Sequence, residues 1–267
     1  MPDQRDSNRP SLDRSDGSAP LRVLQSYDPF GWIAKIGLVT PSTNTVTAPE
    51  WTMMAPKGIA VHVARATLYG ATSPDSYEAM ALSAEKAAAD LATAEVDIVA
   101  FGCTSGTFVC DRDRIAERLA ENGQCPATTT SHAVVAALKA LGARRVALAT
   151  PYVDFVNERE VQFLADEGFE VVSFLGLGLG RTQAERRAMN RIPPQAIFRM
   201  ALQVNRDDAD VVFLSCCALA AAPLLAAIEA ELGKPVISSN QATFWHVLRL
   251  LRLKTRIAGY GCLLDAF

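Results

Sequence analysis

Two stretches decide how this chain folds: "KIGLVTP" at Lys35–Pro41 and "RVALATP" at Arg145–Pro151. Both read basic, β-branched, small, leucine, small, threonine, proline. A second pair of landmarks follows at nearly the same distance. "DIVAFGC" ends on Cys103, 62 positions after Pro41, and "DVVFLSC" ends on Cys216, 65 positions after Pro151. Two landmarks repeated in order and almost in register imply a duplicated unit rather than a chance likeness of buried strands.

The runs around these landmarks give the unit its class. "DIVAFGC" is almost wholly apolar, as a parallel strand covered on both faces must be. Strand-like runs alternate with helix-like runs from Trp32 onward. "IAVHVARATL" is a strand, Asp75–Ala94 a helix and "DRDRIAERLAENG" a helix ending at a glycine. The pattern restarts with "HAVVAALKALG" and passes through "VDFVNEREVQFLADEG" and "FEVVSFLGL" to "QATFWHVLRLLRL". This alternation predicts parallel sheets flanked by helices, an α/β fold of two pseudo-symmetric halves with a site in the cleft between them. Residues 31–130, completed by 241–267, make the first half and residues 131–240 the second. Residues 1–30 are polar, lack a signal-peptide core and read as a disordered tail or an arm over a neighbouring subunit.

Composition narrows the function. The chain has 267 residues, 49% of them hydrophobic, and a formal net charge of −3. No basic cluster marks a nucleic-acid or membrane surface, and no apolar run is long enough to span a bilayer. The expected partners are a small molecule and further copies of the chain, as a homodimer or higher homo-oligomer. Six scattered cysteines without CxxC spacing, and three isolated histidines, suggest neither a disulfide framework nor a metal site. They read as reduced thiols in a cytoplasmic protein.

Ligands of parallel α/β sheets sit at the carboxyl ends of the strands. Cys103 and Cys216 end strands in the two halves, so duplication places one thiol on each side of a shared cleft. Opposed thiols suit two reactions on a small carboxylate. One is two-base proton exchange at the carbon next to the carboxylate. The other is reversible addition of a thiolate to an activated double bond. Both build negative charge that needs donors. Thr104 and Ser105 after Cys103, Asn44 in "PSTNT" and Tyr152 after the second "TP" offer them. Cys217 is either a further contact in the cleft or a packing neighbour of Cys216. "GLGLG" at Gly176–Gly180 lacks GxGxxG spacing and reads as a mobile loop at the cleft mouth, leading into the polar, arginine-rich loop "GRTQAERRAMNRIPP". His246 reads as a core histidine, and Arg65 as a solvated arginine or a carboxylate ligand.

Five segments together carry a resemblance: "GLVTPSTNT", "GCTSGTF", "ALATPYVDFVNERE", "FLSCCAL" and "PVISSNQATFW". At these residues the chain resembles the aspartate/glutamate/hydantoin racemase superfamily. It is most similar to the branch of maleate cis–trans isomerases, arylmalonate decarboxylases and racemase-like ectoine-utilisation proteins. The resemblance implies catalysis without metal or organic cofactor. Cys103 and Cys216 are similar to the two catalytic cysteines of the isomerases, and a decarboxylase would have glycine at Cys103. Asn44, Thr104, Ser105 and Tyr152 match the carboxylate binders. The implied activity is isomerisation of a maleate-like acid. The alternatives are two-base racemisation of an amino acid or its N-acyl derivative, and carboxylate binding without turnover. The isomerases usually carry an asparagine after the "VVSFLGL" strand, for which Asn190 is a poor match. The Cys216-Cys217 pair resembles the ectoine-utilisation type.

Overall fold

A computed structural model describes residues 28–267, so the expected tail lies almost entirely outside the described residues. The chain forms two four-stranded, wholly parallel sheets. The first contains β1 (Ala34–Pro41), β2 (Ile59–Ala66), β3 (Ile98–Phe101) and β4 (Ala127–Thr129), in the order β2-β1-β3-β4. The second contains β5 (Arg145–Tyr152), β6 (Glu170–Leu179), β7 (Val211–Leu214) and β8 (Val236–Ser238), in the order β6-β5-β7-β8. The two orders are equivalent, as a duplicated unit requires.

The repeat extends to single hydrogen bonds, which explains why an aspartate precedes each apolar run. The Asp97 carboxylate accepts the Lys35 amide at 2.7 Å, and that of Asp210 accepts the Arg144 and Arg145 amides at 2.8 Å. Each aspartate therefore satisfies backbone donors at the start of the neighbouring strand and fixes its register. At the other end, the Gly102 amide donates to the Val39 carbonyl and the Ser215 amide to that of Ala149, both at 2.8 Å. The chain leaves both sheets in the same way, and each cysteine emerges two residues beyond its strand.

Helices cover both faces. In chain order these begin with α1 (Thr47–Met54), α2 (Pro74–Ala92), α3 (Thr104–Val109), α4 (Arg112–Gly123) and α5 (Thr130–Ala140). The rest are α6 (Asp154–Asp166), α7 (Gln183–Met189), α8 (Pro194–Val204), α9 (Leu225–Leu232), α10 (Ser239–Leu250) and α11 (Cys262–Ala266). Helix α2 starts with a reciprocal capping box between Ser73 and Ser76. Two corresponding helices, α5 and α10, each follow an edge strand and are capped by its last hydroxyl, Thr129 and Ser238. They pack against each other across the molecule. Successive strand residues alternate between two apolar clusters, each of which draws on both sheets. Leu38, Ala100, Leu148 and Phe213 belong to one, and Val39, Phe101, Ala149 and Leu214 to the other. The halves thus share their core.

Three local expectations need correction. "GLGL" is not a mobile loop: Gly176–Leu179 continue β6, alongside Thr150 and Tyr152 of β5. Glycine is required there because a Cβ at Gly176 would lie 2.9 Å from the Asn157 amide nitrogen, which itself holds the Tyr152 carbonyl. The arginine-rich stretch is not all loop, since α7 forms within it behind a Thr182 cap. Helix α4 takes in Gly123 as its last residue, and the left-handed residue that caps it is Gln124 (φ 53°) rather than the glycine expected to follow it.

Candidate active site

The carboxyl ends of β1, β3, β5 and β7 face one cavity of about 50 Å³. Cys103, Cys216 and Cys217 all line it, together with Asn44, Ser105 and Tyr152. A space this small suits a ligand of a few heavy atoms and excludes a nucleotide.

Each thiol is held by its own donors. Cys103 stands at the start of α3, where the Ser105 hydroxyl and the Gly106 amide hydrogen-bond its sulfur. Gly106 is needed for that approach, because a Cβ there would lie 3.0 Å from Cys103 Sγ and 2.7 Å from Met80 Cε. Cys216 accepts the Ala218 amide at 3.2 Å and the Tyr152 hydroxyl. Burial, the largest influence, pushes the Cys103 thiol up to about 12, with the neighbouring Cys217 adding to the rise and Gly106, Ser105 and Arg186 offsetting part of it. Burial also raises Cys216, and the Tyr152 hydroxyl opposes the rise. Burial therefore favours the neutral thiol at both sulfurs.

Not every expected binder faces the cavity in the expected way. The Asn44 amide is committed to the protein: Oδ1 accepts the Val46 and Thr47 amides, starting α1, and Nδ2 donates to the Cys217 carbonyl at 3.0 Å. Thr104 is buried and does not line the cavity. Its hydroxyl accepts the Cys217 amide and contacts the Cys217 sulfur, both at 3.2 Å. Cys217 is thus both a cavity wall and a hub, whose carbonyl also accepts from Thr47 and Asn240. Behind it, Glu50 is raised by burial to about 7, opposed by bonds from Asn240 and the Ala222 amide. Arg65 spends its guanidinium on the Asn44 and Ser42 carbonyls, which fixes the loop after β1. His246 is only half-buried and bonds Thr128 at 3.3 Å, with burial lowering it to about 4; it lies in a separate surface depression.

Sequence reasoning missed several wall residues, among them Thr72, Tyr77, Arg186 and Met189. It also undervalued Asn190, which lines the cavity and ties α7 to the first half through the Thr45 amide at 3.0 Å. A second tie runs from the Thr72 amide to the Gly180 carbonyl at 2.9 Å. Helix α7, from the second half, therefore roofs a site whose floor comes from both sheets. The available signal was the capping pattern at Thr182, which marks a helix start inside a polar stretch.

Among the described residues no group of three or more His, Cys, Asp or Glu side chains forms a metal cluster, and no helix is long and apolar enough to cross a membrane.

Comparison with known proteins gives a consistent result. The arylmalonate decarboxylase family model matches residues 36–264. Arylmalonate decarboxylase of Bordetella bronchiseptica is 31% identical over 238 residues, covering 85% of this chain and 97% of that protein. Maleate isomerase of Nocardia farcinica is 29% identical over 245 residues, covering 87% and 96%. A maleate-bound cysteine-to-alanine variant of the Pseudomonas putida S16 maleate isomerase superposes with a TM-score of 0.81 at 26% identity, covering 87% and 97%. A cysteine-to-serine variant of the Nocardia farcinica maleate cis-trans isomerase, holding a covalently bound succinylcysteine intermediate, superposes with a TM-score of 0.80 at 26% identity, covering 88% and 99%.

Proposed function

Since the chain belongs to the arylmalonate decarboxylase family, we propose that it is a cofactor-independent cis–trans isomerase of a small, maleate-like carboxylate. The observation that carries this reading is the placement of Cys103 and Cys216, one from each sheet, on the wall of a single small cavity. Binding alone needs no such pair. Decarboxylation is disfavoured because, by the resemblance, a decarboxylase carries glycine where this chain has Cys103. The succinylcysteine held by the Nocardia isomerase is the kind of adduct such a reaction forms.

The reaction balances with one thiolate and one thiol. Cys103 first gives up its proton to solvent; its thiolate adds to one alkene carbon while the Cys216 thiol gives its proton to the other, leaving a Cys216 thiolate. The former double bond is now single and rotates. Cys216 then takes a proton back from the same carbon, the bond to Cys103 sulfur breaks, and the trans alkene leaves. Cys103 is assigned the nucleophile's part because two donors and the positive charge of Arg186 favour its thiolate. Tyr152 stabilises the thiolate that forms on Cys216. Ser105 and Cys217 contact the substrate, while Asn44 and Thr104 act mainly by bracing Cys217. On this reading the first half, residues 31–130 with 241–267, supplies the nucleophile and the second, residues 131–240, the proton donor. The enzyme works as a cytoplasmic homodimer or higher homo-oligomer.

The test is conversion of maleate to fumarate followed by proton NMR. The wild type turns maleate over, C103S and C216S lose at least ~10³-fold in kcat on the scale of other removed nucleophiles and bases, and C262S keeps its activity. Exchange of solvent deuterium into an amino acid's α-carbon, with maleate untouched, would replace this reading by the racemase one.

A further inference from the structure

The arginine-rich stretch after β6 buries one of its guanidinium groups. Arg186 on α7 is only 5% exposed and lines the cavity shared by the two thiols. Its Nη2 donates to the Ala71 carbonyl at 2.7 Å and to Ser76 Oγ at 2.9 Å. These neutral acceptors hold the arm in place but do not balance its charge. Nε is buried and has no partner. Among the described residues no Asp or Glu forms an ion pair with Arg186. The neighbouring Glu185 is turned away, onto the Gly180 and Arg181 amides. The cation also lies over the face of Tyr77, whose ring centroid is 5.5 Å from the guanidinium carbon.

A buried charge without an opposite charge is costly and persists where a ligand supplies the counter-ion. The cavity is too small for a large anion. Its chemistry, a thiol on each wall, concerns carbon next to one carboxylate. A guanidinium on the Cys103 side, reached from the roof, is placed to take a second one through its planar fork. We propose that Arg186 binds the distal carboxylate of the substrate and makes the enzyme selective for diacids over monoacids. This inference rests on the isomerase reading for the identity of the first carboxylate, but not for the presence of an anion site.

The test compares maleate with maleamate, its monoamide, in wild type, R186K and R186M. Binding is measured by calorimetry and turnover by NMR. Wild type binds and converts the diacid at least ~10-fold better than the monoamide, the scale of one charge-assisted hydrogen bond. R186M loses 10- to 100-fold in maleate affinity and little for maleamate, so the preference collapses. R186K, which keeps the charge but not the fork, falls between them. Because the Arg186 charge also supports the Cys103 thiolate, turnover of both ligands falls in R186M and affinity is the deciding readout: a merely structural role lowers the affinity for both ligands equally and overturns the proposal, as does a wild type that does not discriminate or binds neither. If wild type prefers the diacid in an Arg186-dependent way but converts nothing, the anion site stands and the isomerase reading fails. If it isomerises maleate and R186M keeps its preference, the reverse holds.

Discussion

Glu160 on α6 is fully buried, and neither carboxylate oxygen has a hydrogen bond of ordinary geometry. Burial raises it from 4.5 to about 8, and the neighbouring Ser215 hydroxyl offsets only part of that. The unfolded chain gives up this proton above pH 4.5, whereas the folded chain keeps it until about pH 8. Between those values the native state binds more protons, so stability falls as pH rises and levels off once both states are ionised. The shift of about 3.5 units, at ~1.4 kcal/mol each, sets the loss at about 5 kcal/mol. Glu160→Gln keeps the shape and cannot ionise. Urea unfolding of both proteins at pH 5 and pH 8.5, followed by tryptophan fluorescence, isolates the effect, because Glu50 and Asp210 titrate equally in each. Because pH 5 already lies above 4.5 and pH 8.5 only just above 8, the variant gains about 4 kcal/mol of that on the wild type between the two pH values, or roughly 10 °C in Tm for a chain of this size. A stability difference that does not change with pH would refute the assignment of a buried, neutral Glu160.

Three further outcomes follow from the site. Gly106→Ala forces a methyl against Cys103 Sγ and Met80 Cε; kcat/KM falls at least ~10-fold, the scale of a misplaced reacting group, while the melting temperature shifts by only a few degrees. Tyr152→Phe removes the donor to Cys216 and lowers kcat by about 10²-fold, as for other donors to a developing anion. Because burial raises both thiols, kcat/KM for the wild type is still rising at pH 8.5; a plateau by pH 7 would show that a thiolate is already present in the free enzyme.

Much of this was legible in the sequence, because duplication wrote it twice. The paired "TP" strands and the two aspartate-led runs gave the parallel α/β class and the equivalence of Cys103 and Cys216. What the sequence hid was hidden for physical reasons. Glycine-rich "GLGL" lacks the side chains that mark a strand, although its backbone pairs with β5; Gly176 is bare because the Asn157 amide takes the space of a side chain. Asn44 and Thr104 are residue types equally suited to binding a ligand or bracing a turn, and only the positions of Cys217 and α1 reveal their bracing bonds, which leave Asn44 on the cavity wall. Arg186 is one of several arginines in a polar run, and burial of a single member of such a run leaves no periodic trace.

The central claim is that two thiols from opposite halves act on one bound acid, the first by adding to it and the second by moving its proton. Incubating C216S with maleate and mapping the protein by peptide mass spectrometry tests this most directly. The account predicts an adduct with the mass of one maleic acid on Cys103 alone, formed slowly and absent from a C103S/C216S double variant. No adduct with turnover intact, or an adduct on Cys217 or Cys262 in its place, would contradict it.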